Sequence, residues 1–345
     1  MSNTPNPSRD GSKASFDEAA LRDAIIQAVW GQWACLGAHA VGASSKPRRS
    51  IIDPEALLLF TLYLEPQERR LRDFAYWWAQ VGAHLLSVQR TKTLLQHFPS
   101  VTETRLSDFA TWAVAAGDNR WKRHAGSDAP SPTDKSKESL RGTGPRPGKG
   151  SDRPRLDLLP ALVLRLRAGF GISAKADVLA YLLGIEERSA RTRAIADATH
   201  YSRATVANAL KDLCDAGFIQ KTTGAVAEYV AVFDQWAPIL NGPQSPPGVS
   251  SAANTSSAAD EAPVWRYWAG LFAFLADADQ WIRDTAAASD YLRSSSARDV
   301  FGRHRAALEN NQIRVPSPKS YRGPAYLEGF ADTLRRVVQW LSAHP

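Results

Sequence analysis

Residues 195–213, IADATHYSRATVANALKDL, constrain this chain more than any other stretch. Ile195 and Ala196 precede a polar break at His200 and Tyr201. Val206, Leu210 and Leu213 then follow at i, i+4 and i+7, the spacing that places three side chains on one helix face. Ser202 carries the hydroxyl that opens such a helix, accepting from a free backbone N–H of its first turn. The pattern predicts a helix over 192–199, a tight turn in which Tyr201 plugs the core, and a second helix starting at Ser202. Ala196 is small where two helices joined so closely must cross.

The flanks extend this pattern. Leu158–Leu166 and Val178–Leu183 read as two supporting helices. Asp215-Ala216-Gly217 ends the second motif helix, with Gly217 free to take the left-handed conformation. Phe218–Thr222 reads as a strand, Thr223-Gly224 as a turn, and Val226–Phe233 as a weakly alternating return strand. The economical reading is a two-stranded hairpin over 219–233.

The face left free by Val206, Leu210 and Leu213 shows Arg203, Ala204, Thr205, Asn208 and Lys211. A guanidinium forks onto guanine, an asparagine amide onto adenine, a threonine hydroxyl bonds a base edge or a phosphate, and an alanine leaves room for close approach or touches a thymine methyl. The backbone N–H groups after Ser202 attract phosphate. Lys221, Thr222 and Thr223 fall near the hairpin tip. Between 189 and 211 the bases are Arg191, Arg193, Arg203 and Lys211 against a single acid, Asp197, so a segment of zero net charge still presents a basic face.

On these residues (IADAT, SRATV and ALKDLCDAGFI) the stretch 176–233 resembles the winged helix-turn-helix of bacterial transcriptional regulators, the broad kind shared by the MarR, ArsR and GntR groups. The resemblance covers about a sixth of the chain and leaves the flanking parts unassigned. It implies sequence-specific binding of double-stranded DNA, with the helix of about 202–214 in the major groove, a wing at 219–233, and a homodimer reading paired half-sites. Where these groups often carry glycine in the turn, this chain has His200, so an uncommon backbone angle is expected there.

Two segments divide the 345 residues. Residues 123–155 and 241–263 hold Pro, Gly, Ser and small residues with almost no large apolar side chain, so neither buries enough surface to offset its ordering entropy. Three folded parts remain: 15–122, 156–240 and 264–345. The expected fold is mainly α, a central winged helix-turn-helix with a small β-hairpin between N-terminal and C-terminal helical domains. Of the net charge of +7, four units sit on 123–155. A coil of that length spans roughly 30 Å, so it can lie along phosphates or serve as a plain solvated tether.

In the N-terminal part Ser15 and Glu18 form a capping-box pattern before Leu21, Ile25 and Val29. Asp53-Pro54-Glu55 is an N-cap acid with proline at the first helical position. Further helices follow over 68–81 and 87–97, with Trp77 and Trp78 as core aromatics. Ser87–Lys92 also fits the opening of a second, degenerate recognition helix. In the C-terminal part Trp265, Trp268, Phe272, Leu275 and Ile282 keep a helical period, as do Leu327, Phe330, Leu334, Val337, Val338 and Leu341. Such a terminal stripe serves a core or a dimer seam.

Several classes find no footing. Cys35 and Cys214 give no disulfide framework or zinc spacing, and Cys214 reads as a reduced core thiol. No zincin, nucleophile-elbow, phosphate-loop or dinucleotide signature appears, and Asp277 and Asp279, two apart on a helix, read as solvated surface acids. No catalytic residue, metal or cofactor is expected. The polar N-terminus lacks a signal-peptide core and no run of eighteen apolar residues occurs, which reads as a cytoplasmic protein without a membrane span. The alternative to a regulator is an antitoxin or defence-system component whose winged helix and helical domains bind a partner protein.

Overall fold

The computed structural model describes residues 17–39, 49–126, 151–186, 188–240, 262–315 and 321–344. The protein is mainly helical, with thirteen α-helices and a two-stranded antiparallel sheet among the described residues. No helix among them is long and apolar enough to cross a membrane.

Five helices form the N-terminal part: α1 (Glu18–Cys35), α2 (Pro54–Leu64), α3 (Arg69–Val81), α4 (Val88–Leu95) and α5 (Val101–Ala115). The capping-box expectation for α1 is corrected: the helix starts later, and the Asp17 carboxylate accepts from the Ala20 N–H at 3.0 Å. Ser15 lies outside the described residues. Leu21, Ile25 and Val29 are buried together. Helix α2 opens as expected, with Asp53 accepting from the Ala56 N–H and Pro54 at the first position. All of its residues are buried, because PEALLLFTLYL is apolar around its circumference and can only be a central rod.

The central part comprises α6 (Leu162–Phe170), α7 (Ala174–Leu183), α8 (Thr192–Thr199), α9 (Arg203–Asp215), β1 (Gln220–Lys221), β2 (Tyr229–Val230) and α10 (Phe233–Leu240). The C-terminal part holds α11 (Trp268–Asp284), α12 (Asp290–Asn310) and α13 (Tyr326–Ala343). Trp265 precedes α11 rather than sharing its stripe and is buried with the central part.

The apolar stripes of the first and last parts are buried against each other. One cluster joins α1–α5 with α11–α13, including a Phe60–Phe272 stack with centroids 4.7 Å apart. Phe330, Leu334, Val337 and Leu341 of α13 belong to it, so that stripe is used within the chain. A second cluster joins α6–α10 with Ile51 and Trp265. The two meet where Ser50 and Val264 form a parallel bridge and the Trp265 N–H donates to the Gly184 carbonyl at 2.6 Å. A Cβ at Gly184 would lie 2.6 Å from Ile51 Cδ1 and 2.9 Å from Trp265 N, so only glycine lets these strands of chain approach.

The ends of the first low-complexity segment are bound, not free. Ser151 and Arg155 donate backbone N–H groups to Gly37 and Leu36, and Ala125 donates to Trp121. Residues 127–150 of that segment and 241–261 of the second lie outside the described residues.

Candidate nucleic-acid interface

The two motif helices fall where the spacing placed them. Val206, Leu210 and Leu213 of α9 are buried against α7 and α8, with Ile195, Ala196 and Ala198 of α8 facing them. At the turn, Thr199 Oγ1 donates back to the Ile195 carbonyl and the His200 N–H to the Ala196 carbonyl. His200 adopts the left-handed conformation, φ 60° and ψ 29°. The Tyr201 hydroxyl donates to Asp177 Oδ2 at 2.9 Å, which anchors the turn to α7. Ser202 caps α9, its Oγ accepting from the Thr205 N–H at 3.1 Å.

Helix α9 ends in a full Schellman arrangement. Gly217 takes φ 74°, its N–H reaches the Cys214 carbonyl, and the Phe218 N–H reaches the Leu213 carbonyl. Cys214 is half-buried rather than a core residue. The chain then pairs β1 with β2, Gln220 opposite Val230 and Lys221 opposite Tyr229. Ala190 adds a third segment that spacing did not reveal, exchanging two 2.9 Å backbone bonds with Tyr229 just before α8. The return strand is shorter than expected. Val226 lies at the exposed hairpin tip, and Phe233 opens α10, because Phe233, Trp236 and Leu240 bury at helical spacing. Trp236 and Phe218 make edge contacts with Phe170.

The outward face of α9 is open. Arg203, Ala204, Thr205, Asn208 and Lys211 are all exposed, and the side chains of Arg203 and Asn208 make no hydrogen bond or ion pair among the described residues. Ser202 and Thr205 are also linked through their hydroxyls at 2.8 Å. Arg193 is exposed beside Asp197, 3.8 Å away. Arg191 is bound by Glu228 at 3.0 Å, and Ser189 donates to the same carboxylate, so this cation braces the sheet. Lys221 and Thr223 are exposed, whereas Thr222 is partly buried and gives both its N–H and its hydroxyl to the Glu228 carbonyl. On α9 itself, Asp212 is matched by Lys175 at 2.7 Å.

Beneath the turn lies a buried ionic cluster that sequence reasoning missed. Arg90 of α4 holds both Asp53 oxygens and Glu55 at 2.6 Å and donates through Nε to the Thr199 carbonyl at 3.0 Å. Arg167 of α6 forks onto Asp177 at 2.8 Å twice, and also meets Glu55 and the Leu85 carbonyl. Both guanidiniums are buried. Burial acts to raise the Asp53 carboxyl, but the charge and hydrogen bonds of Arg90 outweigh it and hold it low. The alternative of a second recognition helix over Ser87–Lys92 is corrected, since Arg90 points into this cluster and Thr91 is buried with its hydroxyl on the Ser87 carbonyl. Asp277 and Asp279 do leave α11 on different sides, but neither is a solvated acid. Asp277 meets His304 at 2.8 Å and Arg303 at 2.7 Å, and Asp279 accepts from Tyr63 and Gln67. Among the described residues no group of three or more His, Cys, Asp or Glu is arranged to hold a metal ion.

His200 gives a pH signature. Burial, with Arg90 nearby adding to it, pushes its imidazole from 6.5 down to about 4, Asp53 opposing and His97 adding. Between those values the unfolded chain binds more protons than the folded one, so stability falls as pH drops through that window. His200→Asn keeps a residue that tolerates left-handed backbone. In urea titrations from pH 7 to pH 4 the variant is expected to lose about 2–3 kcal/mol less than the parent. Equal losses would show that His200 titrates normally.

Compared with protein-family models, curated proteins and solved structures, the chain matches none.

Proposed function

We propose that residues 176–233 act as a winged helix-turn-helix and that the protein is a sequence-specific, double-stranded DNA-binding transcriptional regulator. Helix α9 enters the major groove, and the β1–β2 hairpin lies against the backbone as a wing. The observation that carries this reading is the division of α9 into a buried apolar face and an open face of Arg203, Thr205, Asn208 and Lys211. A protein-docking face more often shows aromatic or large apolar residues at its centre. The order of elements supports it too: a supporting helix, the Ala190 bridge, two helices across a tight turn, then the hairpin. A homodimer would set two such helices on half-sites one helical turn apart.

Selection of bound duplexes from a random pool, repeated at two salt concentrations, tests the reading. A recovered motif that binds more tightly than pool DNA supports it, and uniform weak binding at both salts overturns it. Lys221→Ala is expected to weaken all duplexes alike and to flatten the dependence of log affinity on log salt by about one unit of slope, as measured by fluorescence anisotropy.

A further inference from the structure

A cavity of about 680 Å³ opens between the α8–α9 turn, the segment after α4, the start of α11 and one face of α12. That volume lies within the range of small-molecule sites. Trp265, Tyr267, Trp268 and Phe98 are among the lining residues. We propose that this cavity binds a small aromatic anion, a planar ring carrying a carboxylate, sulfonate or phosphate.

The charge pattern carries the anionic half of the proposal. Each acid in the lining already has a cation: Asp53 has Arg90, Asp277 has Arg303, and Asp197 has Arg193. Arg266, also in the lining, has no carboxylate within ion-pair distance among the described residues. Its guanidinium rests 5.9 Å from the Trp340 ring centre, and its Nε is buried without a hydrogen-bond partner. Trp265 Nε1, from the preceding residue, is likewise buried and unpartnered. Buried donors left unsatisfied are a standing cost to the fold; Arg266 as a whole is only half-buried, so its charge remains available to an anion in the cavity. Burial pulls the Arg266 guanidinium below its ordinary value and Arg49 adds to this, with Glu186 opposing, which marks a cation short of compensation. The aromatic walls supply apolar contact for a ring, and the neutral imidazole of His200 lines the same space.

Binding here does not require the DNA reading. Calorimetric titration of the full chain with naphthalene-1-sulfonate and with 1-naphthylmethylammonium compares one ring with opposite charges. The sulfonate is expected to bind one per chain and roughly tenfold or more tightly than the ammonium, and Arg266→Met is expected to remove that preference. Hydrogen exchange of the unaltered protein provides a second measurement that stands even where Arg266→Met fails to fold. Sulfonate should slow exchange at 94–99, 197–200 and 265–270. Equal binding of the two ions, or protection confined to the surroundings of Phe170, Phe218 and Trp236, overturns the proposal. Loss of duplex binding with sulfonate binding intact would count against the DNA reading alone.

Discussion

Arg167→Met is expected to cost about 3–5 kcal/mol of folding stability, the range for removing one partner of a buried ion pair. The side chain is fully enclosed and meets Glu55 on one side and Asp177 on the other. In the parent, three buried acids (Asp53, Glu55 and Asp177) face two guanidiniums. The variant leaves Arg90 alone against the same three. Methionine fills most of the volume, so the effect reads charge and hydrogen bonding rather than a cavity. Because Glu55 lies on α2 of the first cluster and Asp177 on α7 of the second, the two clusters should loosen in one transition in urea, followed by tryptophan fluorescence. Arg155→Met is the matched control. Its pair with Asp157 is largely exposed on both sides, and such pairs contribute about 1 kcal/mol at most. Equal effects from the two variants would mean that the buried cluster holds nothing together.

Arg203→Ala and Asn208→Ala are each expected to cost about 1–3 kcal/mol at a selected duplex and to relax base preference at one position. Both side chains are exposed and unbonded among the described residues, so folding stability should stay within about 0.5 kcal/mol of the parent. That separation makes the test clean: anisotropy titrations move and urea midpoints do not. The pair should be run against the selected site and against single-base variants of it. If neither change alters affinity or preference, α9 is not the reading element and the proposed function fails with it.

What the chain disclosed in advance depended on whether the signal was local. The helix over 192–199, the start at Ser202, the cap at Asp53 and the stop at Gly217 are all set by neighbouring residues, and all are found in place. The hairpin was legible in position but not in length. Alternation over Val226–Phe233 was weak, and the competing i, i+3, i+7 burial of Phe233, Trp236 and Leu240 wins the end of that stretch for a helix. Ala190 was invisible, since one bridging residue has no period. An apolar stripe says that a face will be covered but not by what, so the packing of α1 against α13 and of α2 against α11 could not be read. The same limit hid Arg90 and Arg167. Arginine is ordinarily a surface residue; Thr199 lies 109 residues from Arg90 and Glu55 lies 112 from Arg167, and the nearer Asp177, ten residues from Arg167, has no pattern that marks it as a buried partner.

The Arg90–Thr199 hydrogen bond has a consequence for portability. Cut loose as residues 156–240, the unit would lose Arg90 from the Thr199 carbonyl and Glu55 from Arg167, leaving the Arg167–Asp177 pair and that carbonyl on a face that α2 and α4 no longer cover. It would therefore be a poor cassette for grafting onto other proteins, and the angle at which its outer rod is presented belongs to the whole body rather than to the fragment.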